Sequence, residues 1–133
     1  AFKFRGLDTS LLESARFQAV TCVLEKPSLG MAQDLYQEIR ASVSHILHLG
    51  WPINLQTPLP SFEGPLMGLR SLINLSKDAQ EFGPVTLLYG SSLGIFRNYK
   101  ETTYPKEVPI AASVAVGAGY TESNWVAERL LEI

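Results

Sequence analysis

Residues 85–94, which read VTLLYGSSLG, contain the clearest strand pattern in the chain. Residues 85–89 are apolar, aromatic or β-branched, and Gly83-Pro84 before them ends the preceding helical pattern. The strand is followed at once by two hydroxyl side chains, Ser91 and Ser92. This stretch therefore predicts a strand of an α/β fold that ends in candidate site residues.

Apolar stretches alternate with helical patterns along the whole chain, which is typical of an α/β fold. Ser10 and Glu13 match the Ser-x-x-Glu capping box and predict a short first helix. Prolines exclude a helix from the segment after Trp51, and two more make residues 96–110 a long surface loop. The predicted strands are residues 19–24, 45–49 and 85–89. Helices are predicted at residues 31–42 and 121–131. Between them we expect a longer helix, with Leu66, Leu69 and Ile73 on one stripe.

The composition is that of one globular domain, residues 1–133, with 46% apolar and 18% charged residues. A net charge of −2 argues against a nucleic-acid binder, which needs a basic face. No apolar run reaches the ~18 residues of a membrane span, and the start does not resemble a signal peptide. The single cysteine, Cys22, excludes an intrachain disulfide and lies mid-strand, so we expect a buried, inert thiol and a cytoplasmic protein.

Three motifs suggest other chemistries, and each lacks a necessary partner. Residues 90–94 match the G-x-S-x-G nucleophile elbow of hydrolases, but the only histidines, His45 and His48, precede the serine instead of following it. Residues 117–119 resemble the start of a dinucleotide fingerprint whose third glycine is replaced by Glu122. The two histidines would lie on opposite faces of one strand, so we expect structural histidines and no metal site.

Ser92 and Tyr120 form a stronger constellation, because they occur in the order used by enzymes that reduce carbonyl groups. In that chemistry a tyrosine hydroxyl donates the proton while a serine hydroxyl binds the same oxygen. A lysine one helical turn after the tyrosine normally supplies a positive charge beside the phenol. Asn124 takes that position here. The geometry of the triad is therefore expected to remain, without its charge.

On these residues and six ordered anchors, the chain resembles the thioester reductase domains of fungal adenylate-forming reductases. These domains are similar to aminoadipate reductase and belong to the extended short-chain dehydrogenase/reductases. The resemblance covers nearly all 133 residues and the central portion of such a domain. It implies NADPH-dependent reduction of acyl thioesters, bound to a carrier protein, to aldehydes or alcohols. The anchors are residues 5–8, 25–30, 48–51, 61–63 with 68–73, 90–94 and 119–131.

The resemblance implies a role for each candidate site residue. Ser92 matches the catalytic serine or threonine of the family, and Tyr120 matches its proton donor. Asn124 stands where the family has its catalytic lysine, and it would position the ribose or a water in place of that lysine. The positions matched to the cofactor, by the same resemblance, are Ser91, Gly50 and Trp51.

The departures from the family weaken the expected cofactor site. The Gly-rich phosphate loop is expected before Ala1, an acidic residue is replaced by Val23, and an asparagine is replaced by Leu49. A helix N-terminus with close backbone amides is what binds the pyrophosphate, so we expect impaired NADPH binding and impaired activity in this chain. The alternative is a non-catalytic interaction or ligand-binding protein derived from a truncated reductase.

The same departures predict a truncated Rossmann-like, three-layer fold that lacks its first βαβ phosphate-binding unit. In the strand order 3-2-1-4-5-6, the missing strands would lie between residues 19–24 and residues 46–49. The small, mostly parallel sheet is then expected either to rearrange, with these two strands paired directly, or to be completed by homodimerisation through its open edges.

Overall fold

The computed structural model describes residues 3–106 and 108–132. The remaining residues of the predicted domain, and residue 107 of its predicted loop, lie outside this range. The predicted helices and strands at 31–42, 45–49, 85–89 and 121–131 are confirmed to within a residue or two, and the capping-box residues form one 3₁₀ turn. The elements are α1 (Gln33–Ser42), β1 (His45–His48), α2 (Glu63–Ala79), β2 (Thr86–Tyr89), α3 (Ala112–Ala115) and α4 (Gly119–Leu131).

A βαβ unit forms the centre of the fold. β1 and β2 run parallel and pair in register along their whole length. α2 connects them and packs on both strands, because parallel neighbours need a crossover connection and the apolar face of a helix can cover the sheet. Ile46 of β1 and Leu87 of β2 contact a buried cluster of Leu29, Leu72 and Leu75. The predicted parallel α/β arrangement is confirmed.

The opposite face of this sheet is exposed. Side chains alternate along a strand, so the residues next to Ile46 and Leu87 point the other way. Leu47 is 63% exposed and Leu88 is 53% exposed. Within the described residues, the Rossmann-like unit therefore presents one covered face and one apolar face that meets solvent.

The segment at 19–24 does not form the predicted strand, and its predicted pairing with β1 is wrong. The Val23 amide donates to the Leu29 carbonyl at 2.8 Å, which closes a loop through the 3₁₀ turn Pro27–Gly30. This turn buries Leu29 in the core cluster, and Leu24 packs closely on Gly68 of α2. The segment is used to cover α2, so β1 pairs only with β2 among the described residues. Cys22 is exposed, so the prediction of a buried thiol is also wrong.

α4 packs beside α2 and carries the predicted site helix. It contacts α2, α3 and two 3₁₀ turns, Leu59–Phe62 and Leu93–Phe96, and Ala127 on its inner face is fully buried. The second of these turns directly follows the end of β2. In the part of the chain described, no helix has both the length and the apolar character needed to cross a bilayer. The packing of α4 brings its first turns to the ends of the strands.

Candidate active site

The candidate site lies at the carboxyl ends of the two parallel strands. Because β1 and β2 run in the same direction, the residues that follow them emerge at one edge of the sheet. Trp51 follows β1, and Ser91 and Ser92 follow β2. This edge is where open α/β sheets bind their ligands. Two of the sequence-predicted groups are therefore brought to one place by the topology.

Ser92 immediately precedes the 3₁₀ turn Leu93–Phe96, which packs on α4. Its Oγ accepts a hydrogen bond from the Gly94 amide at 3.1 Å and caps the turn Leu93–Phe96. A Cβ built on Gly94 would lie 3.2 Å from Ser92 Oγ and 2.9 Å from Cγ2 of Thr121. Only a glycine fits between the serine hydroxyl and the helix at this point. The structure thus brings Ser92 close to the residue that follows Tyr120.

Tyr120 lies at the start of α4, half-buried, with its ring 6.4 Å from that of Phe62. The helix start is held by Thr121, whose hydroxyl donates to the Ala115 carbonyl at 2.6 Å and to the Ala118 carbonyl at 2.9 Å. The first of these bonds satisfies a carbonyl at the end of α3, and the second adds to the bond that the Ala118 carbonyl accepts from the Glu122 amide at 3.0 Å. The backbone that carries the phenol of Tyr120 is therefore well anchored.

Asn124 is buried, with 1% of its surface exposed, and both ends of its amide are engaged. Oδ1 accepts a hydrogen bond from the Tyr89 hydroxyl at 2.7 Å, and Nδ2 donates to the Tyr120 carbonyl at 2.8 Å. Burial raises the pKa of Tyr89, and the nearby Tyr120 and Glu128 raise it further. Tyr89 consequently remains a hydrogen-bond donor to Asn124 throughout the physiological pH range. The residue at the expected lysine position links a strand to a helix.

The three cofactor positions implied by the resemblance have different surroundings. Ser91 is exposed and donates to Oε1 of Glu128 at 2.5 Å. Trp51 is half-buried, and its indole Nε1 donates to the Ser123 hydroxyl at 3.1 Å. Gly50 is exposed, and a Cβ built on it would meet nothing within 4 Å. Ser91 and Trp51 are thus both tied to α4, whereas Gly50 leaves open backbone at the end of β1.

His48 is buried in an aromatic cluster at the same edge. Its ring lies 5.9 Å from that of Trp51 and 5.8 Å from that of Tyr89. Burial lowers the pKa of His48, because the imidazolium form would lose its hydration. His45 is exposed on the other face of β1, as the strand alternation predicts. Within residues 3–106 and 108–132, no group of three or more His, Cys, Asp or Glu side chains could hold a metal ion.

The glycines before α4 form a helix start and not a phosphate cradle. Glu122 accepts a hydrogen bond from the Gly117 amide at 2.9 Å, so a carboxylate already occupies the backbone donor there. Gly117 has a φ of +117°, which an L side chain rarely adopts. Glu122, which replaces the third glycine of the fingerprint, thus bonds to the backbone at the start of the segment.

Sequence reasoning missed four residues of the site: His48, Tyr89, Ser123 and Glu128. The first two are paired across β1 and β2 on the inner face of the sheet, so an in-register alignment of the two predicted strands could have found them. Glu128 lies two helical turns after Tyr120, on the same face as Asn124, and helical spacing could have found it. Ser123 had no signal in the sequence, because its role depends on the distant Trp51.

The site fits the nicotinamide end of a dinucleotide in part. Open backbone at Gly50 and the hydroxyls of Ser91 and Ser92 lie at the strand ends, where such a group binds in α/β sheets. Asn124 does not fit the ribose-binding role of a lysine, because its polar atoms are already bonded to Tyr89 and to the Tyr120 carbonyl. Gly50 and the two serine hydroxyls at the strand ends could thus hold the nicotinamide ring, whereas Asn124 could not bind the ribose.

A parallel βαβ unit, with a serine and a tyrosine at its carboxyl edge, defines a Rossmann-like domain of the reductase type. The chain belongs to the NAD-binding family described as Male sterility protein, which matches residues 2–133.

The proteins to which the chain is similar are consistent with membership of this family. The chain is 42% identical to the adenylate-forming reductase Nps10 of Heterobasidion annosum, over 96% of this chain and 12% of that protein. It is 32% identical to the citrinin polyketide synthase of Monascus ruber, over 99% of this chain and 5% of that protein. The fold is similar to the terminal R domain from the myxalamid PKS-NRPS pathway, with a TM-score of 0.68 and 23% identity, over 84% of this chain and 28% of that one. The chain thus spans a small part of each relative.

Proposed function

We propose that this chain is part of an NADPH-dependent reductase of acyl thioesters held on a carrier protein, working in the cytoplasm. The observation that carries the proposal is the approach of the Ser92 hydroxyl to the first turn of α4, with Gly94 lying between it and Thr121, at the carboxyl ends of two parallel strands. Membership of an NAD-binding family and similarity to a reductase and a polyketide synthase support it. The exposed thiol of Cys22 is compatible with a reducing compartment.

The proposed chemistry uses the two hydroxyl groups on one carbonyl oxygen. Ser92 Oγ already accepts a hydrogen bond from the Gly94 amide, and its own proton remains to be donated to the substrate oxygen. When bound, a nicotinamide cofactor would supply a hydride to the carbonyl carbon. The electron pair of the C=O bond would move to the oxygen, and that oxygen would take the phenol proton of Tyr120. The carbon–sulfur bond of this adduct would then break as the hydroxyl gives up its proton and the sulfur takes one, so that the carrier thiol leaves and an aldehyde remains.

The proposed cofactor contacts are limited to the strand ends. The nicotinamide end of the cofactor would be held by Gly50, Trp51 and Ser91. Asn124 would influence the site only through its hydrogen bonds to Tyr89 and to the Tyr120 carbonyl. The amide of Asn124 supplies no positive charge beside the phenol or the ribose. We therefore propose that NADPH binds weakly and that turnover is slow relative to a reductase with a lysine at this position.

Removing either hydroxyl is expected to lower turnover strongly. Tyr120→Phe and Ser92→Ala should each reduce kcat for NADPH-dependent reduction of an acyl thioester by roughly 100-fold, the contribution typical of a positioned acid or oxyanion donor. Tyr104→Phe is the matched control, because Tyr104 is 96% exposed and should leave turnover unchanged. Binding is followed in parallel by NADPH fluorescence. No NADPH binding below millimolar concentration, with no turnover, would overturn the reductase proposal and favour the non-catalytic alternative.

A second proposed function is self-association through the open sheet edges. The face of the sheet opposite the core cluster exposes Leu47, Leu49 and Leu88. A monomer seldom leaves such an apolar group in contact with solvent. Leu47→Lys should dissociate the homodimer in sedimentation velocity, because a charge would be buried at the pairing surface. Met67→Lys, on the exposed side of α2, is the control that should leave the dimer intact. A monomeric wild-type chain at 100 μM or so, well above the Kd of most specific dimers, would refute the proposal.

A further inference from the structure

We infer that two hydrogen-bond chains, one from each strand, converge on the main-chain carbonyl of Tyr120 and position its phenol for proton donation. The inference rests on the proposed function in which Tyr120 donates the proton. It assigns positioning roles to Ser123, Asn124 and Tyr89, and a second role to Trp51. These residues act through Tyr120 and do not touch the reacting atoms.

The first chain starts at the end of β1. The indole Nε1 of Trp51 donates to Ser123 Oγ at 3.1 Å, and the Ser123 hydroxyl donates to the Tyr120 carbonyl at 2.9 Å. Ser123 is fully buried. Its hydroxyl therefore has no water to replace either partner, and the loss of one bond would leave a buried polar group without a partner.

The second chain starts in β2. The Tyr89 hydroxyl donates to Asn124 Oδ1 at 2.7 Å, and Asn124 Nδ2 donates to the same Tyr120 carbonyl at 2.8 Å. The amide uses its acceptor and one of its two donors within the protein, so its orientation is fixed by the partners on each side. Tyr89 precedes Ser92 by three residues, so this chain connects the serine's strand to the tyrosine's helix.

The convergence has a geometric consequence. Ser123 and Asn124 both donate to the Tyr120 carbonyl and are bonded in turn to Trp51 and Tyr89 at the two strand ends. The first turns of α4, which carry the phenol, therefore cannot shift relative to the strands without breaking one of these bonds. Reactive groups must be held to within a fraction of an ångström for an efficient transfer step. Ser92 lies three residues after Tyr89, the last residue of β2. The positions of the Ser92 hydroxyl and of Tyr120 therefore both depend on β2, the latter through Asn124.

The phenol position can be tested by removing each chain with an isosteric change. Tyr89→Phe deletes the donor of the second chain, and Ser123→Ala deletes the link of the first. We expect each to lower kcat for thioester reduction roughly tenfold with the thioester KM unchanged, and the double variant to lower kcat by more than the product of the two effects. Matched controls are Tyr99→Phe, whose hydroxyl bonds Glu101, and Ser71→Ala, whose hydroxyl bonds the Met67 carbonyl within α2.

A second measurement separates this inference from the proposed function, because it needs no turnover. A fluorotyrosine placed at position 120 should give one narrow ¹⁹F resonance in the wild-type chain. The double variant should broaden or split that resonance, while circular dichroism remains that of the wild type. An unchanged ¹⁹F spectrum in a folded double variant would overturn the inference even if the reductase proposal stands. A split resonance in an inactive protein would support the positioning network and reject only the reductase proposal.

Discussion

Replacing Gly119 by alanine is expected to lower the free energy of unfolding by about 3–5 kcal/mol, enough to unfold much of the protein at 37 °C. A Cβ at this position would lie 2.5 Å from the Leu59 amide nitrogen and from the Pro58 carbonyl carbon, and it would overlap the Thr57 carbonyl oxygen. All three atoms are backbone, so no side-chain rotation can relieve the contact. The segment at 57–59 or the start of α4 would have to move.

The control for this substitution is Gly50→Ala, where a Cβ meets nothing within 4 Å. It should change the free energy of unfolding by less than about 0.5 kcal/mol, as is usual for an exposed position. Denaturant titration of both variants gives the comparison directly. Equal stability of the Gly119→Ala variant and the wild type would mean that the start of α4 does not pack against the backbone of residues 57–59.

Replacing Asn124 by lysine is expected to destabilise the protein by about 3–5 kcal/mol, the cost of burying an uncompensated charge. The resemblance to reductases alone suggests the opposite, because lysine is the residue that such enzymes have at this position. In this chain, however, position 124 is 1% exposed, and lysine would remove both the acceptor of the Tyr89 hydroxyl and the donor to the Tyr120 carbonyl. The substitution should therefore weaken the site that the resemblance predicts it would restore.

Asn74→Lys is the matched control, because Asn74 is exposed on α2 and gives the same chemical change on a helix surface. It should leave the free energy of unfolding within about 0.5 kcal/mol of the wild-type value. Denaturant titration measures stability, and NADPH fluorescence measures binding. A folded Asn124→Lys variant with wild-type stability and tighter NADPH binding would show that the lysine reaches the cofactor position at the strand ends, and would contradict the burial of position 124.

Much of the fold could be predicted because its signals are local. The strand at 85–89, the strand at 45–49 and the three longer helices depend on short-range periodicity and on prolines and glycines at their ends. The segment at 19–24 shows the limit of that reasoning. Its apolar residues suit a strand, but packing against α2 and the turn around Leu29 decide its path. Strand propensity is easily overridden by the neighbours that a segment finds.

The proposed reacting groups of the candidate site could be predicted from the sequence, and the hydrogen bonds that support them could not. Ser92 and Tyr120 could be selected because each follows a recognisable element boundary. The bonds that hold them come from Trp51, Ser123 and Tyr89, which lie far apart in the sequence, and no pattern in the sequence pairs these residues with their partners. A hydrogen-bond partner is chosen by geometry across the fold, and that geometry is not encoded in the spacing of any one segment.

The sequence by itself determined that this protein is an α/β chain with a serine after a strand, a tyrosine at the start of a helix and an asparagine where the resemblance predicts a lysine. Those features depend on residue type and on order along the chain. The tertiary structure alone decided that Asn124 is buried between Tyr89 and Tyr120, and that one face of the sheet is left open. Burial and hydrogen-bond pairing depend on which distant segments pack together. An asparagine in the sequence therefore does not reveal whether its amide is exposed or buried.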